Sequence, residues 1–356
     1  MGKKKSTPAS LAAASRKREP QRKPAAPLKK SAGSAPVEIS GSQFKSDASE
    51  ERAEAKLSGS IAFPIVGIGA STGGLEAFTQ LLEHLLADTG MAYVLVQHLA
   101  PKHESMLTEL LSRATSMPVN EVIDGTTVEP NHVYVIPPNT DMAILQGVLR
   151  LLPRLEGHGQ QHMPIDHFLR SLAEDQKSRA IGVILSGTAS DGALGLKAIK
   201  AESGITFAQD EATAKYHGMP RSAIAAGYVD FILPPAAIAQ ELARTGRHPY
   251  VNRFKPEGLG ELSEDESNFN KILALVRSAT GVDFTYYKPT TIKRRIARRM
   301  VLHRIDDLKN YIKYLQTDTK EVAALYNDIL INVTGFFRDQ ETFQFLLEKV
   351  FPVIME

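Results

Sequence analysis

From residue 62 onward, short apolar runs rich in β-branched residues alternate with amphipathic stretches of about ten residues. That alternation predicts an α/β fold, a doubly wound, mostly parallel sheet with helices on both faces. The runs that read as strands are Pro64 to Ile68, Tyr93 to Gln97, Val133 to Ile136, Ala180 to Leu185, Ile205 to Phe207 and Val229 to Ile232. Helices are expected at Leu75 to Leu86, Ser105 to Ser112, Ile165 to Gln176, Ala193 to Glu202 and Ser222 to Ala226. Met142 to Leu152 breaks the series, because Gly147 separates two apolar runs in the manner of an antiparallel hairpin.

The α/β pattern occupies residues 61–245, and a polar stretch rich in Gly and Glu over 246–267 reads as a linker. Beyond it the period changes to helix alone. Phe269, Ile272, Leu273 and Val276 share one face, as do Leu308, Tyr311, Ile312 and Leu315, so residues 268–356 form a small all-helical domain. Residues 1–60 show neither period and are expected to be a disordered basic tail.

The overall charge of +2 conceals an asymmetry: ten cations against Glu19 give the first thirty residues +9, which leaves −7 for the rest. A basic tail can touch nucleic acid or anionic lipid, but its Ala, Ser and Pro interleaving reads as a solvated extension, and nucleic acid is not an expected partner. The absence of cysteine removes disulfides and thiolate metal sites and suits a reducing, cytoplasmic setting. No apolar run approaches the roughly 20 residues that span a bilayer.

Gly67-Ile68-Gly69-Ala70-Ser71-Thr72-Gly73-Gly74 places a serine on the turn between the first strand and the first helix. Glycines on both sides let the backbone turn sharply and push the hydroxyl outward, as in a nucleophile elbow. A dinucleotide fingerprint would need its third glycine at Thr72, where it is absent. A turn in which Ser71 merely caps the helix is the plain structural alternative.

A serine nucleophile needs a base, and the base needs an acceptor to hold its ring. His98 follows the run Tyr93 to Gln97, and Asp191 follows Gly182 to Ser186 through a short loop. Both would emerge at the carboxyl edge of the sheet, where open α/β folds place their crevices. Asp191 is also a candidate helix cap for Gly192-Ala193-Leu194. The order Ser, His, Asp differs from that of α/β hydrolases.

Gly67 to Gly74, Val96-Gln97-His98, Val133 to Pro137 and Ser186-Gly187-Thr188-Ala189-Ser190-Asp191-Gly192-Ala193, in this order, resemble the catalytic domain of the CheB chemotaxis protein-glutamate methylesterases. The resemblance implies Ser71 as nucleophile, His98 as general base and acid, and Asp191 as the orienter of the imidazole. It places the oxyanion donors at the backbone of Thr72 and of Thr188, where similar enzymes carry methionine. It implies hydrolysis of γ-glutamyl methyl esters, with deamidation of glutamines, on the cytoplasmic helices of methyl-accepting chemoreceptors, and signalling kinases as further candidate partners. The attached receiver domain of stand-alone family members has no counterpart in residues 1–60, so control through an attached receiver is not expected.

Lys293-Arg294-Arg295-Ile296-Ala297-Arg298-Arg299 and Asn332-Val333-Thr334-Gly335-Phe336-Phe337-Arg338 resemble the N-terminal helical domain of the CheR receptor methyltransferases. That resemblance implies substrate-facing roles for Arg294, Arg295 and Arg298, and places Asn332, Thr334 and Arg338 at the border of an S-adenosylmethionine pocket. The chain stops before the strand and glycine-rich turn that would hold the methyl donor, so S-adenosylmethionine is implied only for a complete methyltransferase domain. Methyl transfer is not expected here, and the esterase itself calls for no cofactor. His158, His162 and His167 cluster, but Gly157, Gly159 and Pro164 interrupt any helix that would align them, and no metal is expected. The competing readings are a receptor-docking adaptor acting through its arginine helix and a truncated S-adenosylmethionine-dependent glutamate O-methyltransferase.

Overall fold

The computed structural model describes residues 63–98, 106–153, 162–248 and 262–330. Seven strands, all paired in parallel, form the central sheet in the order β10-β9-β8-β1-β2-β5-β3. They are β1 (Ile65–Ala70), β2 (Ala92–Gln97), β3 (Val119–Glu121), β5 (Val133–Val135), β8 (Ala180–Ile184), β9 (Ile205–Gln209) and β10 (Phe231–Leu233). The expected hairpin is present as β6 (Thr140–Leu145) and β7 (Val148–Pro153), to which β4 (Thr126–Thr127) adds a third antiparallel strand.

Six helices accompany the sheet among the described residues: α1 (Gly74–Glu83), α2 (Leu107–Ser112), α3 (Pro164–Gln176), α4 (Ala193–Ala201), α5 (Gly218–Ala225) and α6 (Pro235–Arg247). Alternation along β1 explains the two layers. Val66, Ile68 and Ala70 point to the face covered by Phe78 and Leu81 of α1 and Ile238 and Leu242 of α6. Ile65 points to the other face, against Phe168 and Leu169 of α3 and Leu196 of α4. On that second face a Cβ at Gly67 would lie 2.6 Å from a Leu169 methyl, so the glycine is what lets α3 sit this close.

Four more helices follow: α7 (Leu262–Thr280), α8 (Pro289–Leu302), α9 (Leu308–Thr317) and α10 (Thr319–Leu330). Ile272, Val276, Phe284, Ile296, Tyr311 and Leu325 form their shared core. The expected linker over 246–267 is helical at both ends, since α6 runs through Arg247 and α7 starts at Leu262. Residues 1–62, where the basic tail was expected, lie outside the described residues.

Candidate active site

The chain leaves β1 to one side towards β2 and returns on the other side as β8, which makes the carboxyl end of β1 a topological switch point. Ser71 stands there. Its N–H donates to the Ser186 carbonyl at 3.0 Å, and its own carbonyl accepts from Gly74 at 2.8 Å. Gly73 occupies the left-handed region at φ 76°, and a Cβ on it would lie 2.7 Å from Ser186 Oγ. The turn therefore requires glycine. Ser186 Oγ donates to the Thr72 carbonyl at 3.0 Å, pinning the elbow to the loop after β8. Ser71 does not cap the helix: Gly73 is the capping residue and no side chain bonds there. The Ser71 hydroxyl stays unpaired among the described residues, at a site where the residue is 8% exposed.

His98 follows β2 as Ser71 follows β1, one step beyond the paired Ala70 and Gln97. Its N–H donates to the Ala70 carbonyl at 3.3 Å, which continues the register to the sheet edge. Its Nε2 lies 2.7 Å from Asp191 Oδ2. Asp191 is 1% exposed. It does not cap α4, where Gly192 takes the capping position at φ 96°. It caps α3 instead, accepting from Ile165 N at 3.0 Å and Asp166 N at 2.8 Å.

The structure thus joins imidazole and carboxylate, while no hydrogen bond joins Ser71 Oγ to the ring. With Nε2 committed to Asp191, Nδ1 is the nitrogen left for the serine, and such bonds commonly tighten only when substrate is bound.

The loop after β8 packs directly on the serine. A Cβ on Gly187 would sit 2.2 Å from Met219 Sδ and 3.0 Å from Ser71 Cβ. Gly187 N donates to the Tyr216 carbonyl at 2.8 Å, and Tyr216 N donates to Ser186 Oγ at 3.0 Å. Ala189 follows in the left-handed region at φ 70°, a conformation that costs a non-glycine residue energy. Thr72 follows Ser71 directly, and Thr188 follows Gly187, the residue packed against Ser71; neither main-chain N–H donates to another described residue. Free N–H groups beside a helix N-terminus can stabilise a developing oxyanion.

The structure corrects the reading of the arginine helix. Arg295 and Arg298 are each 3% exposed and face the α/β domain. Arg295 donates to the carbonyls of Lys200 at 3.1 Å and Ala201 at 2.6 Å. Arg298 donates to Gly204 O at 3.1 Å, to Asp230 Oδ1 at 2.5 Å and to Asp328 Oδ2 at 2.6 Å. A cation-rich stretch looks solvated in sequence, but here its partners come from segments 30 to 95 residues away. Arg294 remains half-buried. Asn332, Thr334 and Arg338 lie outside the described residues.

The histidine cluster is dispersed. His162 Nε2 lies 2.6 Å from Asp141 Oδ1, His167 is exposed on α3, and His158 lies outside the described residues. No group of three or more His, Asp or Glu able to hold a metal occurs among the described residues.

Asp166, in the first turn of α3, lies directly behind Asp191, and nothing in the sequence assigned it to the site.

The chain is similar in sequence to proteins of two known families. The CheB methylesterase family matches residues 66–242, and the all-alpha domain of CheR methyltransferases matches residues 267–330. An uncharacterized 104.1 kDa protein of Rhodobacter capsulatus is 36% identical over 263 residues, which is 68% of this chain and 27% of that one. A protein-glutamate methylesterase/protein-glutamine glutaminase of Geobacter sulfurreducens is 38% identical over 189 residues, 52% of each chain. The crystal structure of the Thermotoga maritima CheB methylesterase catalytic domain shares 31% identity, with a TM-score of 0.48 over 51% of this chain and 98% of that one. The chain spans about half the length of the curated methylesterases it matches.

Proposed function

Because the chain belongs to the CheB methylesterase family over residues 66–242 and continues into a CheR-type all-alpha domain, we propose that it hydrolyses γ-glutamyl methyl esters of chemoreceptors through Ser71, His98 and Asp191. The observation that carries this reading is the 2.7 Å contact between His98 Nε2 and Asp191 Oδ2, set at the same sheet edge as the Ser71 elbow.

Ser71 Oγ attacks the ester carbonyl as its proton passes to His98 Nδ1. The Thr72 and Thr188 N–H groups receive the negative charge that forms on the carbonyl oxygen. Asp191 holds Nε2–H and stabilises the imidazolium. His98 then returns the proton to the departing methoxide, and methanol leaves an acyl-enzyme. Water, deprotonated by His98, attacks that ester and releases the glutamate carboxylate and the Ser71 hydroxyl. A glutamine side chain can follow the same path with ammonia as the leaving group, which fits the glutaminase in the relatives' names.

The substrate class rests on the family, and so does a setting on the cytoplasmic side of a membrane. Among the described residues no helix is long and apolar enough to cross a membrane. The test is methanol release from a methyl-esterified receptor: the reading requires release by the wild type and its loss in Ser71→Ala with the fold intact.

A further inference from the structure

Asp166 and Asp191 cap each other's helices. Asp191, just before α4, accepts the first N–H groups of α3 at 3.0 and 2.8 Å. Asp166, in the first turn of α3, accepts the N–H of Gly195 in the first turn of α4 at 2.6 Å. Each carboxylate thus sits on the positive end of the other's helix dipole. The exchange fixes the rotation of the Asp191 side chain from both sides, since the backbone that carries Asp191 is itself held by Asp166.

We propose that Asp166 is a positioning residue of the esterase site, which holds Asp191 in the orientation that grips His98. This rests on the methylesterase reading of the site. Several features favour it over simple packing. Asp166 is a carboxylate 4% exposed in an otherwise apolar layer of Ile165, Phe168 and Leu169. Burial pushes its carboxyl above the usual carboxylate range, and the neighbouring negative charge of Asp191 adds to that, while the Gly195 N–H and the Arg170 charge pull the other way. A buried acid beside a second acid is costly unless its hydrogen bonds are needed. Those bonds end one turn from the catalytic carboxylate.

The charged and titratable groups facing Asp166 are Asp191 and Arg170, with His98 beyond Asp191. The experiment measures, in the full chain, kcat and KM for methanol release and the NMR chemical shift of the His98 Nε2–H proton that meets Asp191 Oδ2. Asp166→Ala should lower kcat by about 10- to 100-fold, the scale of a small misplacement of a catalytic group, with KM within about twofold. Its His98 Nε2–H proton should resonate further upfield, because a loosened Asp191 grips that proton less closely than at 2.7 Å. Asp166→Asn, which retains an acceptor for Gly195 N–H, should recover both quantities toward the wild type.

A folded Asp166→Ala with wild-type kcat and a wild-type His98 Nε2–H chemical shift overturns the proposal. If Asp166→Ala does not fold, Asp166→Glu keeps the charge but shifts the carboxylate by one methylene: lost kcat at unchanged KM supports the proposal, and wild-type kcat overturns it. A wild type that releases no methanol overturns the methylesterase reading instead, and the His98 Nε2–H chemical shift still decides the role of Asp166.

Discussion

Gly187 lies against Ser71 so closely that a Cβ on the glycine would sit 3.0 Å from the serine Cβ and 2.2 Å from Met219 Sδ. The second contact is too short for any side chain, so Gly187→Ala must displace Met219, the elbow, or both. Overpacking of this kind costs about 1–3 kcal/mol. The expected outcome is a lowered unfolding midpoint together with a fall in kcat, and shortening the neighbour in Gly187→Ala/Met219→Ala should return part of the stability. Urea unfolding of the two variants, with methanol release alongside, checks this.

Asp191→Asn should abolish most turnover while substrate binding survives. The asparagine oxygen can still accept from Asp166 N, but its NH2 would replace Oδ2, the atom that accepts from Ile165 N and holds Nε2–H of His98. By the logic of serine triads the loss of kcat should reach about 10³-fold or more, with little change in KM. Steady-state kinetics of methanol release measure both.

Arg298, like Arg295, is a buried cation that ties the helical domain to the α/β domain, and it does so through Asp230 on one side and Asp328 on the other. Removing it leaves Asp230 with only the Lys200 ammonium at 3.3 Å and Asp328 with only the Arg299 guanidinium at 3.8 Å, so Arg298→Met should destabilise the chain by up to about 3–5 kcal/mol. Arg298→Lys should not restore the loss, because an ammonium lacks the planar fork that reaches Gly204 O, Asp230 and Asp328 together. Equilibrium denaturation of both variants tests this.

The helical domain should lose stability in acid through Glu321. Burial pushes this carboxyl up, but hydrogen bonds from His303, Arg299 and Tyr311 outweigh it and hold it at about 2, against an ordinary value of 4.5. A carboxyl lowered on folding contributes stability that is fully present above its unfolded value and drains away as pH falls through its folded one. The contribution should therefore be whole above about pH 4.5 and disappear towards pH 2. Glu321→Gln should flatten that part of the stability profile measured by thermal unfolding.

The sheet and the three residues at its edge were legible because each is a local signal: an apolar run followed by a short loop carrying Ser71, His98 or Asp191. The hairpin was legible from Gly147. Less local facts were not. β3 contributes a single apolar residue, Val119, in Val-Asn-Glu, and pairs only because β5 lies beside it. α6 was missed although Pro235 marks its first turn. The inward turn of Arg295 and Arg298 had no sequence signal, because Lys200, Gly204 and Asp230 reach them only through the tertiary fold. The same holds for the reciprocal capping by Asp166 and Asp191, whose two helices are separated by β8.

The most direct measurement is the covalent intermediate itself. The full chain is mixed with a methyl-esterified receptor peptide, quenched in acid during turnover, digested and analysed by mass spectrometry. The account predicts the glutamyl peptide in ester linkage to Ser71, formed with loss of methanol and absent from Ser71→Ala. Turnover without an adduct at Ser71, or with the adduct on another residue, would contradict it.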